Sequence, residues 1–204
     1  MFPNWFAPAS VVLEYSGGAW DAPRVLREPP VLSLRAVGLH YGQIAFEGLR
    51  AAQVDGRLHA FRPDLHRRRL NRSLDRLSMP SVPGATFGAA LSSLLDAMAV
   101  PPTPEPGSFL YLRPLVVAVD EDWSMSGAVR YELHVLAGWT LPAFHDLQRV
   151  RARVEATDRR ALSGAAGVVK VPSNYGSSMV AQRRARDIGA HTVLWIEPES
   201  RAVE

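Results

Sequence analysis

The chain has 204 residues and 47% hydrophobic content, enough for one large or two small domains around a buried core. It has no cysteine, which excludes disulfides and thiolate metal sites. No apolar run is long enough to span a bilayer and no basic segment precedes an apolar one at the N-terminus, so a cytoplasmic protein with no membrane partner is expected. A formal net charge of +3 is too small an excess to imply nucleic acid, and the six histidines are dispersed with no pair at ligand spacing beside an acid, so no metal site is expected.

Residues 1–38 alternate short apolar runs with breakers: Val11 to Tyr15, then Ser16-Gly17-Gly18, then Pro29-Pro30 and Val31 to Leu34. This punctuation predicts strands and turns at a sheet margin. Asp55-Gly56, between two apolar-rich runs, predicts a hairpin turn, because both central positions need positive φ. Gly42 and Gly48 flank an aromatic residue and an acid, which suits close approach of a ligand to the backbone; a simple bend explains each equally well.

Residues 64–79 predict a helix started by Pro63 and Asp64, with Leu70, Leu74 and Leu77 on one face. Its other face carries His66, Arg67, Arg68, Arg69 and Arg72. With no aromatic residue interleaved to stack bases, that stripe reads as a solvated face rather than a nucleic-acid site. A second helix is predicted over Thr86 to Ala99 with Phe87, Leu91, Leu94, Leu95 and Met98 inward, and the proline-rich segment 101–106 ends it.

A strand over 108–119 is expected to be interrupted at Arg113-Pro114. An arginine in so apolar a run must reach water, a partner or an anion; its fork suits a substrate carboxylate, and an internal ion pair accounts for it as well. Further strands are expected at Tyr131 to Ala137 and near Val150 to Ala156. A helix is expected over 177–188, stopped by Gly189, and a last strand over Thr192 to Ile196.

Among 23 basic residues Lys170 is the sole lysine. In a composition that has drifted toward arginine, a retained lysine points to something guanidinium cannot do, which is to lose its proton and attack a carbonyl as a neutral amine. A surface lysine surviving by chance is the competing reading.

The motifs His40-Tyr41-Gly42-Gln43, Phe46-Glu47-Gly48-Leu49-Arg50, Phe61-Arg62-Pro63, Arg69-Leu70-Asn71-Arg72-Ser73, Tyr111-Leu112-Arg113-Pro114, and Lys170 followed by Asn174-Tyr175, occur in this order across almost the whole chain. Together they resemble the branched-chain aminotransferases among the class-IV, fold-type-IV pyridoxal-phosphate enzymes. The resemblance implies an α/β (α+β) fold with a small two-layer domain over residues 1–137, a crossover linker over 138–149 and the first, incomplete part of a large cofactor-binding domain over 150–204. It implies that Lys170 forms the internal aldimine with pyridoxal 5′-phosphate and shuttles a proton. Tyr175 would bond the phenolic oxygen of the cofactor, Arg69 its phosphate and Glu204 its pyridine nitrogen. Tyr41, Phe46 and Tyr111 would line the substrate pocket, with Arg113 for a carboxylate.

The implied activity is transamination of a branched-chain or other hydrophobic L-amino acid with 2-oxoglutarate. The implied partners are the amino acid and 2-oxo acid, with a homodimer or a partner chain supplying the rest. Three departures stand out: Pro172-Ser173 replaces two glycines, Gly167-Val168-Val169 precedes the lysine, and no pocket tyrosine lies near Pro142 to Phe144. The family continues beyond the position of Glu204, so a chain truncated there is expected. The alternative is a non-catalytic truncated relative acting as a binding or assembly protein.

Overall fold

The structure, a computed structural model, describes residues 5–98, 108–141, 149–161, 164–197 and 199–203. The chain divides into two compact units, Met1–Ala143 and Phe144–Glu204.

In the first unit the strands are β1 (Trp5–Phe6), β2 (Ser10–Ser16), β3 (Ala19–Trp20), β4 (Arg24–Leu26), β5 (Ile44–Phe46), β6 (Leu49–Val54), β7 (Arg57–Ala60), β8 (Phe109–Ala118) and β9 (Tyr131–Thr140). They form one antiparallel sheet in the order β3-β2-β9-β8-β6-β7, with β1 added on β9, β4 on β2 and β5 on β8. The helices are α1 (Val37–Tyr41), α2 (Pro63–Arg76) and α3 (Gly84–Ala97).

Alternation builds the core. Leu110, Leu112, Val116 and Ala118 of β8 and Leu133, Val135 and Ala137 of β9 are buried, joined by Val11 and Leu13 of β2. Phe87, Ala90, Leu91 and Leu94 form the buried stripe of α3, spaced as one helical face requires, and Leu70 and Leu74 do the same for α2. Leu77 and Leu95 of the predicted stripes are only partly buried.

Local sequence sets the boundaries. Asp55 and Gly56 both take positive φ in the β6–β7 hairpin, as expected of a two-residue turn. Helix α2 ends at Arg76 rather than at residue 79. Ser78 adopts φ +54°, and the Met79 N–H reaches back to Leu74 O at 2.9 Å, the 6→1 bond of a Schellman stop. The Asn71 side chain then receives the Val82 N–H at 3.0 Å and donates to Val82 O at 3.1 Å, clipping the segment that leads into α3.

Two expectations are corrected. Val31 to Leu34 form no strand and stay largely exposed; the preceding Pro29-Pro30 offers no N–H to a neighbour. Strand β8 is also not interrupted at Arg113-Pro114, since Pro114 pairs with Val135 in an unbroken ladder with β9. A central strand tolerates this proline because β5 and β6 leave a gap at Glu47-Gly48 on the side where its N–H would point, and Pro114 O accepts the Glu47 N–H there at 2.8 Å. Strand β9 itself runs on past Ala137 to Thr140.

The second unit has β10 (Ala152–Glu155), a 3₁₀ turn (Ala165–Val168), α4 (Ser173–Gly176), α5 (Met179–Asp187) and β11 (Thr192–Trp195). Strands β10 and β11 are parallel, joined by the helical crossover that such a pair requires. Ala181, Ala185, Val193 and Trp195 make a small core. Gly189, at φ +69°, stops α5 as expected, with the Ala190 N–H bonded to Ala185 O. Buried Glu155 ends β10. It pairs with Arg153 and with Arg184 at 3.6 Å, and it accepts the N–H groups of Thr157 and Asp158. The Arg153 hydrogen bond leads the causes that, against the cost of burial, hold its pKa at about 2 instead of 4.5.

A carboxyl whose pKa falls on folding stabilises the fold above its unfolded pKa and loses that effect as pH drops toward the folded value. Solvent screens this pair in so small a unit, so Glu155→Gln is expected to cost about 2 kcal/mol at pH 7. The difference from wild type should vanish in urea unfolding as pH falls from 4.5 to about 2. Phe87→Ala, which empties a site only 2% exposed, is expected to cost about 3–4 kcal/mol in the same measurement.

Candidate active site

In the second unit the segment around Lys170 is shaped by one side chain that reaches back to the main chain. Asn174 is buried at the start of α4, and its Nδ2 donates to Ala166 O at 2.7 Å and to Val169 O at 2.8 Å. This ties the turn before Lys170 to the helix after it, so the lysine leaves a loop closed at both ends. Lys170 Nζ then donates to Tyr175 Oη at 2.6 Å and lies 5.0 Å from the centre of that ring. Ser178 Oγ holds Tyr175 O at 2.7 Å. Pro172, standing where the resembled family has a glycine, sits at φ −59° and ψ −31°, and its carbonyl accepts the Tyr175 N–H at 2.9 Å. The proline therefore opens α4 in its own preferred conformation.

In the first unit, β8 presents Tyr111 and Arg113 on the same face, two residues apart, beside Phe46 at the end of β5. Arg113 donates from Nε and Nη2 to Tyr111 Oη at 3.1 and 2.9 Å, and its guanidinium carbon lies 4.6 Å from the centre of the Phe46 ring. No carboxylate pairs with Arg113 among the described residues, so the internal ion pair that sequence allowed is not formed there. Gly48 has a steric reason to be glycine, because a Cβ there would lie 2.0 Å from Tyr111 Oη.

Between Phe46 and Gly48 the Glu47 side chain turns inward and is fully buried. Arg69 of α2 grips it through both forks, Nε to Oε1 at 2.5 Å and Nη2 to Oε2 at 2.7 Å, while His66 Nδ1 approaches Oε2 at 3.0 Å. Burial pushes the Glu47 carboxyl up, but the hydrogen bonds from Arg69 and His66 and the Arg69 charge outweigh it and hold the group below its ordinary range. Arg69 stays half-exposed.

Phe46, Tyr111 and Arg113 are thus brought together, with Arg69 attached to the residue next to Phe46. The Tyr41 hydroxyl donates to Trp123 O at 2.7 Å. Lys170 and Tyr175 form their own pair in the second unit, and Glu204 and the segment Pro142 to Phe144 lie outside the described residues. Sequence reasoning gave no role to Glu47, His66 or Asn174. An acid between an aromatic residue and a glycine, ahead of a basic helix, was the available signal for the first. The basic face of α2 is partly committed, since Arg67 donates to Val82 O and Arg69 holds Glu47; Arg62, just before the helix, pairs with Asp64. Among the described residues there is no cluster that could hold a metal ion and no helix long and apolar enough to cross a membrane.

Comparison with known proteins identifies the family. Residues 44–204 match the family described as amino-transferase class IV. The branched-chain-amino-acid transaminase 1 of Bacillus subtilis is 34% identical over 201 residues, covering 96% of this chain and 56% of that protein. A branched-chain-amino-acid aminotransferase of Mycolicibacterium smegmatis is 32% identical, covering 100% and 57%.

Among solved structures, the branched-chain aminotransferase of Thermoproteus uzoniensis with norvaline superposes with a TM-score of 0.75 at 22% identity, over 94% of this chain and 61% of that one. The branched-chain amino acid aminotransferase of Thermobaculum terrenum in its PLP form gives 0.70 at 20% identity, over 95% and 60%. The fold is that of the fold-type-IV aminotransferases, and the chain spans little more than half the length of the curated relatives it matches. With a matching family description over residues 44–204, most of its length, the chain belongs to the class IV aminotransferases.

Proposed function

We propose that this chain carries the lysine and substrate-side residues of a pyridoxal-phosphate-dependent transamination. Its substrates would be a branched-chain or other hydrophobic L-amino acid and a 2-oxo acid, 2-oxoglutarate in the first instance. The observation that carries the proposal is the placement of the sole lysine, its Nζ 2.6 Å from Tyr175 Oη in a loop closed by Asn174. An amine held against a phenol, half-buried and fixed at both flanks, suits a group that must take and release a proton at a defined atom.

The residues fit the cofactor. Pyridoxal phosphate supplies an aldehyde that takes up an amine and a ring that stabilises negative charge on the adjacent carbon. Lys170 holds and moves a proton at Nζ, and Tyr175 orients that amine. Arg69 offers a half-exposed guanidinium to the phosphate, and Glu204 is assigned to the ring nitrogen. Phe46 and Tyr111 give the substrate side chain an apolar wall, and Tyr41 is assigned to the same pocket. Arg113, already aimed by Tyr111, takes the carboxylate through its planar fork. We assign the second unit to the first part of the large, cofactor-binding domain and the first unit to the small domain.

Two measurements test this reading. Treatment of the chain with pyridoxal phosphate and borohydride should place a stable adduct on Lys170, located by peptide mass spectrometry, and Lys170→Arg should abolish it. Adduct on the N-terminal amine alone would refute the proposal. Gly48→Ala, which drives a methyl into Tyr111 Oη, should lower the conversion of L-leucine about a hundredfold by misaiming Arg113. The Lys170 adduct should form unchanged.

A further inference from the structure

Glu47 occupies the gap between β5 and β6, and its own N–H is fixed to Pro114 O at 2.8 Å. Its carboxylate is fully buried and receives four donors: Nε and Nη2 of Arg69, Nδ1 of His66 and the Gly48 N–H at 3.2 Å. An ionised carboxylate has about four acceptor positions. The backbone and α2 therefore hold this group from two sides and leave it no freedom to swing.

Arg69 is different in kind. It rises from the exposed side of α2, with 47% of its side chain accessible. A long arginine at such a position ordinarily samples many rotamers and loses that freedom when it grips an anion. Here the loss is already taken, because the Nε–Nη2 edge of the guanidinium plane is locked against Glu47 and the plane's direction is set by the protein rather than by the ligand.

We infer that Glu47 is a positioning residue for an anion, a phosphate monoester, at Arg69. It acts by fixing the guanidinium plane, and it registers that plane against the neighbouring Phe46, Gly48 and Arg113 through its bond to β8. The inference rests on the reading of Arg69 as the phosphate-binding residue. An interior ion pair that merely stabilised the fold would act on every ligand alike. A positioning residue acts only on the one that carries the phosphate.

The test compares binding of pyridoxal 5′-phosphate with binding of pyridoxal, which lacks the phosphate, to the full chain by absorbance titration. Wild type is compared with Arg69→Ala, Glu47→Gln and the double variant, and thermal melts check folding. Glu47→Gln is expected to weaken pyridoxal phosphate about tenfold, through lost preorganisation, and to leave pyridoxal within about twofold. Arg69→Ala should remove the preference for the phosphate, and the double variant should be no weaker than Arg69→Ala.

If Arg69→Ala keeps the preference, the phosphate reading of Arg69 fails and the inference falls with it. If Arg69→Ala loses the preference while Glu47→Gln keeps it, or if Glu47→Gln weakens both ligands equally, the inference alone is overturned. A wild-type measurement guards against a Glu47 variant that does not fold. The Nε–H resonance of Arg69, assigned by its loss in Arg69→Lys, should exchange slowly with solvent, and exchange as fast as that of an exposed arginine would also overturn the inference.

Discussion

A missing hydrogen-bond donor shapes the first unit. Pro114 sits in the middle of the long β8 ladder and offers no N–H toward its neighbour on the β5–β6 side. The neighbour answers by breaking between Phe46 and Leu49. Because of that break, Glu47 can turn inward instead of following the pleat, Gly48 can lie under the Tyr111 hydroxyl, and Phe46 ends its strand facing Arg113. A regular strand with alternating side chains could not have placed three consecutive residues in three such different environments.

The second unit reaches the same end by another route. Among its described residues Ala181, Ala185, Val193 and Trp195 form a small apolar cluster, and polar contacts add to it. Asn174 closes the Lys170 loop by bonding carbonyls, and Glu155 gathers two arginines and two backbone donors at the end of β10. Buried polar groups so fully satisfied specify one arrangement of the chain, and the position of Lys170 depends on that.

Much of this was legible in the amino-acid order. The Asp55-Gly56 hairpin, the Gly189 stop and the inward faces of α2 and α3 are governed by residues close in sequence, so local rules suffice. The lone lysine, and the motifs around it, pointed to the right family. What was not legible depends on distant partners. Pro114 reads as a breaker until the gap opposite it is known. Glu47 is an acid in a motif, without a role, until Arg69 and His66, on a helix beyond the next hairpin, are seen to close on it. Asn174 acts on carbonyls, which every residue has, so its place in the motif did not tell what its side chain holds. Val31 to Leu34 are apolar without being buried, and hydrophobicity alone could not tell that run from a strand.

The scarcity of lysine has a practical side. A protease specific for lysyl bonds finds a single cleavable peptide link in these 204 residues, between Lys170 and Val171. That link lies where Asn174 staples the preceding turn to α4 and where Val171 is buried. The protease can cut only when the staple opens, so the rate at which the intact chain separates into two fragments measures the opening of one loop. Few proteins allow the motion of a single segment to be followed on a gel without a label or an introduced mutation.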